Sequence, residues 1–347
     1  MKVTFNKNPY LNNQALLYLG LLMIFVVAAV VLSFWQPSKD AWSTFTTVFL
    51  GIFIEATPYL LLGTLASGMV EVFVSQDTIK GLVPRSPILG ALFGSILGIF
   101  FPVCECGVVP LVRRLFRKGL SIPAGVAFLL AAPVINPVVI LSTATAFGFG
   151  KMLFMRVGFT FLIALATGCI FSVIQTPWEI INPTPWITSN DVDDHDYEHN
   201  LDHAEAERVP FLSKLRQVFL VSLDEFFEMG RYLVMGGLIA AGMQTFIPQS
   251  ILLNIGKGPL ISVLVMIGLA ILLSICSTVD SFVALGFVGI FSSGSILAFL
   301  LYGAMVDIKS TLMFLRVFRL RPVLYLILIP LVLVLLVCVT MNYFMVW

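Results

Sequence analysis

Phe101-Pro102-Val103-Cys104-Glu105-Cys106-Gly107-Val108-Val109-Pro110 is the stretch on which the fold turns. A carboxylate sits between two thiols inside an apolar segment, 87–112. A bare carboxylate at the centre of a bilayer costs about 2.5 kcal/mol or more, so such a group faces a cavity or the bundle interior. Pro102 and Pro110 each remove a backbone donor, and Gly107 permits a tight bend. The segment is therefore expected to be a helix that stops midway and turns back, leaving backbone groups free for a solute. The plainer alternative, a kinked span with two small inert cysteines, leaves Glu105 between them unexplained.

The rest of the chain fits that setting. Of 347 residues, 59% are hydrophobic and 11% charged, against roughly 25% charged in a soluble domain; mean hydropathy is +1.01. A span takes about 20 apolar residues, and the apolar segments leave room for eight to ten membrane segments and no folded soluble domain. Soluble enzymes are excluded, and a net charge of +1 gives no reason to expect nucleic acid. The bilayer itself is the first partner. The domain reading is an N-terminal span in 1–41, a transmembrane repeat in 42–175, an acidic linker in 176–216 and a second repeat in 217–347.

The second repeat rests on matched residues. A shift of about 172 places Phe53, Glu55, Tyr59, Leu60 and Gly63 on Phe226, Glu228, Tyr232, Leu233 and Gly236. To within a residue it also places Pro87 on Pro259, Cys104 on Cys276 and Asn136 on Asp307. The basic residues Arg113, Arg114, Arg117 and Lys118, and likewise Arg316, Arg319 and Arg321, mark cytoplasmic loops. Their repeat partners, 286–294 and 147–151, carry almost no charge. Equivalent loops then lie on opposite sides, the mark of inverted topology. The expected fold is an all-α integral membrane protein of two inverted-topology repeats, each with a broken or re-entrant helical hairpin. Its N-terminus is cytoplasmic and its C-terminus outside.

In an inverted repeat the two breaks meet near the midplane. The partner segment is Ser274-Ile275-Cys276-Ser277-Thr278-Val279-Asp280-Ser281-Phe282, so Cys104, Glu105, Cys106, Cys276, Ser277, Thr278, Asp280 and Ser281 are the candidate binding residues. Thiolates are soft ligands and select soft metals or metalloids; the hydroxyls have the alternative of bonding to their own helical turn. Pro133 and Pro137 flank Asn136 and make a further break, with Asn136 offering donor and acceptor to a polar solute. Proton-coupling candidates are Glu55, Glu228, Glu105, Asp280 and Asp307. Against that role, Glu228 has Arg231 close by, and Asp307 has Lys309 or Arg316. Cys169 and Cys338 read as packing.

His195, His199 and His203 are spaced by four within an acidic stretch. A helix would align the three imidazoles as a metal or pH-sensing face; a solvated linker is the other reading.

These motifs resemble a family of predicted permeases that includes the organoarsenical efflux permease ArsP and YraQ-type permeases. The resemblance runs from about Thr44 to Tyr343. It is carried by Glu55-Ala56-Thr57-Pro58, the Pro102 to Pro110 motif, Ala132-Pro133-Val134-Ile135-Asn136-Pro137 and Cys276-Ser277-Thr278-Val279-Asp280-Ser281. It implies an inner-membrane permease, with some members exporting trivalent organoarsenicals and with Cys104, Cys106 and Cys276 as thiol contacts. No Walker A segment is present, so pumping would draw on an ion gradient or on downhill movement, without a cofactor. The expected function is a secondary transporter for a thiol-reactive or anionic small solute, a metalloid included, not an enzyme. A transmembrane thiol–disulfide electron carrier and a sulfur-anion importer are the alternatives. A homo-oligomer is compatible with each.

Overall fold

In a computed structural model the chain divides into two compact units, Met1–Thr47 and Val48–Trp347. Residues 39–84, 86–101, 103–174, 211–246 and 258–344 are described, so of the first unit only the opening of the first helix is seen. The N-terminal span, the three histidines, Pro102 and the C-terminal residue all lie outside the described residues.

Thirteen helices and no strand are found among the described residues. They are α1 Lys39–Phe73, α2 Gln76–Leu82, α3 Pro87–Leu97, α4 Glu105–Arg117, α5 Ile122–Ile135, α6 Pro137–Phe147 and α7 Lys151–Ile174, then α8 Phe211–Phe246, α9 Pro259–Leu273, α10 Asp280–Leu285, α11 Ser293–Met305, α12 Ile308–Val317 and α13 Leu320–Phe344. The boundaries follow local chemistry. Proline is the first residue of α3, α6 and α9, where its missing N–H costs nothing. Ser86 and Asn136 accept hydrogen bonds from Leu89 N and Val139 N, and Asp307 with Ser310 forms a capping box.

Four helical segments are long and apolar enough to cross a membrane, five if the pair α5 and α6, bent by about 40°, counts as one span. That is fewer than the expected eight to ten. The apolar segments 87–112 and 258–291 are divided into short helices, too short to cross alone, and the first apolar run is not described. The packing has a recurring pattern. α5 lies against α3 and α7, and α11 lies likewise against α9 and α13. α5 is buried along its whole length, and so is 78% of the most apolar stretch of Ser293–Val317. α1, α7 and α13 leave large apolar side chains exposed, among them Ile54, Phe154, Val173 and Leu336, as helices facing lipid do.

The interruptions fall elsewhere than expected. α4 runs through both Gly107 and Pro110, and the break lies before it, at 98–104. Pro110 costs the helix only the bond to one carbonyl, and Gly107 serves close approach instead of bending. A Cβ built on Gly63 would stand 2.3 Å from the Cα of Gly107, so the missing side chains let α1 and α4 touch backbone to backbone. α5 likewise continues through Pro133, and the chain turns at Asn136. In the second half the break is 274–279, where Ser274 takes a left-handed conformation with φ 45°, uncommon for a residue with a Cβ. Its hydroxyl accepts from Ile308 N at 3.2 Å, and Gln244 donates to the last carbonyl of α9, Leu273 O, at 2.7 Å.

Candidate functional site

Each helix that follows a break packs on a helix from the other half of the chain: α4 against α12, and α10 against α6. The two breaks thereby bring residues from distant sequence together, and three polar clusters result.

The central cluster joins the N-terminus of α4 to the start of α12. The Cys104 thiol lies beside those of Cys106 and Cys276, and Cys276 Sγ donates to Glu105 Oε2 at 3.9 Å. Lys309 Nζ lies 3.7 Å from Glu105 Oε1 and 3.4 Å from Asp307 Oδ2. The cluster is sealed, with Cys106, Lys309, Asp307, Glu105 and the other two thiols all 2% exposed or less. Glu55, on α1, is half-buried within electrostatic reach of Lys309 and of the Cys276 backbone amide. One ammonium therefore serves three carboxylates. Glu105 Oε1, Asp307 Oδ2, Glu55 Oε1 and the Ser277 hydroxyl have no hydrogen-bond partner. Ligand atoms of Cys104, Glu105 and Cys106 all lie within 4.8 Å of one another, a spacing close to that of a soft metal or metalloid site.

Asp280 is not left free for this cluster. Arg156 Nη2 donates to its Oδ2 at 2.5 Å and Nη1 to its Oδ1 at 3.0 Å, and Nη1 also reaches Ser281 and Thr143. Ser142 donates to the carbonyl of Thr278. Asp280, Ser281 and Thr278 thus tie the second break to α6 and α7. Asn136 is structural in the same sense: its Nδ2 donates to Val103 O, at the first break, at 3.3 Å.

The third cluster lies at the basic end of α4. Arg113 and Arg316 both hold Glu228, each at 2.9 Å, so its partners are these two and not Arg231 as its position in the sequence suggests. Arg114 pairs with Glu225 and Glu71, and Lys118 donates to the carbonyls of Glu71 and Val74. A separate cavity of about 430 Å³ lies between the end of α6 and the start of α11, lined by Phe147, Lys151, Met152, Phe291 and Ser292 among others. None of the candidate residues lines it.

Sequence reasoning missed Arg156 and gave Lys309 no role beyond pairing with Asp307. The signal for Arg156 was available: it is the one cation within the apolar run 153–174, and an ionisable group at that depth has a buried partner.

An all-helical chain with several apolar, membrane-length helices and charged groups enclosed at helix breaks is a multi-pass membrane protein. Its family is also defined: residues 41–343 match the ArsP_1 family model, described as predicted permease, and the chain belongs to that family. It is 41% identical over 293 residues to the UPF0718 protein YcgR of Bacillus subtilis, covering 84% of this chain and 95% of that one. It is 36% identical to a proposed two-component membrane permease complex subunit of Streptococcus mutans, covering 80% and 88%. The UPF0718 protein YraQ of Escherichia coli is 22% identical over 143 residues, 41% of each chain. No solved structure matches. Membership of this family indicates a transporter rather than an enzyme.

Proposed function

We propose that this permease is a secondary transporter, in the inner membrane, for a small thiol-reactive or anionic solute, trivalent organoarsenicals among the candidates. The observation that carries the proposal is the convergence of Cys104, Cys106 and Cys276 on Glu105 and Lys309, from two breaks about 172 residues apart. The proposed mechanism is alternating access by two halves of inverted topology. Two findings support it. The helices of the second half recur in the order and spacing of the first, α1 with α8, α3 with α9, α5 with α11 and α7 with α13. Arg113 and Arg316, read from the sequence as lying at cytoplasmic ends of different spans, grip one carboxylate and so share a face. On this reading the N-terminus is cytoplasmic and the C-terminus outside.

Asp280 and Glu228 are held by arginines, which favours Glu105, Asp307 and Glu55 as the groups that carry protons around Lys309. The Streptococcus mutans relative is named as a subunit of a two-component complex, and this chain is proposed to work with a second subunit in the same way. An electron carrier is disfavoured, since thiols 2% exposed or less offer a soluble partner nothing to attack. A sulfur-anion importer keeps the fold and reverses the flux.

Cells expressing the protein are expected to resist trivalent methylarsenicals, and Cys104→Ser, Cys106→Ser and Cys276→Ser each to abolish that resistance. If all three variants resist as well as the parent, thiol coordination is wrong. Thiosulfate uptake dependent on the gene, without arsenical resistance, would select the importer.

A further inference from the structure

We infer that the three thiols and Glu105 form a site for a single thiophilic divalent metal cation of the zinc and cadmium class, and that such an ion is a solute of this permease. The inference rests on the reading of this cluster as the solute position and names a substrate class for it. Three observations carry it.

The first is ligand geometry. Sulfur atoms of Cys104 and Cys106 and a carboxylate oxygen of Glu105 lie within 4.8 Å of one another. A tetrahedral ion with metal–sulfur bonds of about 2.3 Å sets its ligand atoms about 3.7 Å apart. Side-chain movements of about 1 Å therefore close the shell, within what three cysteine and glutamate side chains reach by rotation. Cys276 Sγ, already 3.9 Å from Glu105 Oε2, supplies the fourth ligand from the other half of the chain. Two sulfurs of one motif and a third from the opposite break also exclude magnesium and calcium, which take oxygen.

The second is an acceptor without a donor. Glu105 is 2% exposed, yet its Oε1 has no hydrogen-bond partner and meets Lys309 only at 3.7 Å. A buried carboxyl oxygen left without a donor is costly. A metal–oxygen bond would satisfy it.

The third is charge. When a divalent ion enters, the S–H bonds of Cys104, Cys106 and Cys276 break, and three metal–sulfur bonds and one bond to the Glu105 carboxylate form. Three protons leave to bulk water, and nothing is oxidised or reduced. A dication replaces three protons, so the cluster gains one negative charge. The Lys309 ammonium, 3.7 Å from Glu105 Oε1, is the cation placed to offset it in a sealed interior, where an unpaired charge is costly. The ammonium is thus a positioning residue that holds the Glu105 carboxyl group in place, ready to act as a ligand.

The test is a titration of the reduced, purified full-length protein in detergent with Cd²⁺, read by thiolate-to-cadmium charge-transfer absorption. One ion per chain is expected. Cys104→Ser and Cys106→Ser are each expected to weaken binding by about 100-fold and Lys309→Met by about 10-fold, with Lys309→Arg restoring it; Cys169→Ser leaves it unchanged. Protection of Cys104 and Cys106 from alkylation by Cd²⁺, mapped by peptide mass spectrometry on the unmodified sequence, gives the same answer without relying on a variant that folds poorly. Absence of stoichiometric binding, or binding that survives both serine substitutions, overturns the inference. A parallel titration with a trivalent methylarsenical separates the two readings. Protection by the arsenical alone refutes the metal-ion site and leaves the thiol-reactive solute standing. Protection by neither removes both.

Discussion

Replacing Arg156 with methionine should be among the most damaging single changes outside the central cluster. The guanidinium is 1% exposed and Asp280 is 4% exposed, so neither has water to fall back on. The substitution removes both bonds to Asp280 and those to Ser281 and Thr143, leaving the aspartate with the Ser281 hydroxyl at 3.2 Å. Breaking a buried ion pair on one side costs about 3–5 kcal/mol, whereas replacing both partners with apolar residues is often neutral or better. Arg156→Met and Asp280→Leu are therefore each expected to lower stability by an amount in that range. The double variant should recover at least about 2 kcal/mol of the summed loss, well above the roughly 0.5 kcal/mol within which independent sites add. Denaturant unfolding of the four detergent-solubilised proteins completes the cycle. Strictly additive losses would refute the claim that Arg156 is there to neutralise Asp280.

Gly63→Val sets a side chain against the backbone of α4, where even a Cβ stands 2.3 Å from Gly107 Cα, and backbone cannot rotate away. The yield of monodisperse protein in size-exclusion chromatography should collapse, while Gly51→Val, with open space around it, should leave it intact; equal yields would show that α1 and α4 do not touch. Cys104, Cys106 and Cys276 should react with maleimide far more slowly than the partly exposed Cys169 in folded protein, and at similar rates once it is denatured. Mass spectrometry of the labelled peptides measures this, and fast labelling of the native motif would contradict the sealed cluster.

Composition and proline positions made the membrane class and the interruption of its helices readable, because hydropathy and backbone breaks are properties of short segments. The thiol motif marked a buried interruption for the same reason: Cys-Glu-Cys among apolar residues is costly wherever the chain goes. The placement of the breaks was less accessible. Gly107 and Pro110 look like helix breakers in isolation, but α4 passes through both, since a glycine that permits bending also permits close packing, and only the approach of Gly63 decides between them.

Charge pairing was less legible still. Arg156 meets Asp280 across 124 positions, and Arg113 meets Glu228 across 115; neither distance leaves a trace in local pattern. The sequence by itself therefore determined that the chain lives in a bilayer, that its helices are interrupted and that acid and thiol groups lie at an interruption, all consequences of desolvation cost counted along one strand of residues. Only the tertiary structure decided which acids are clamped by arginine and which share Lys309. Electrostatic partnership depends on distance in space, and that is set by how the two halves cross.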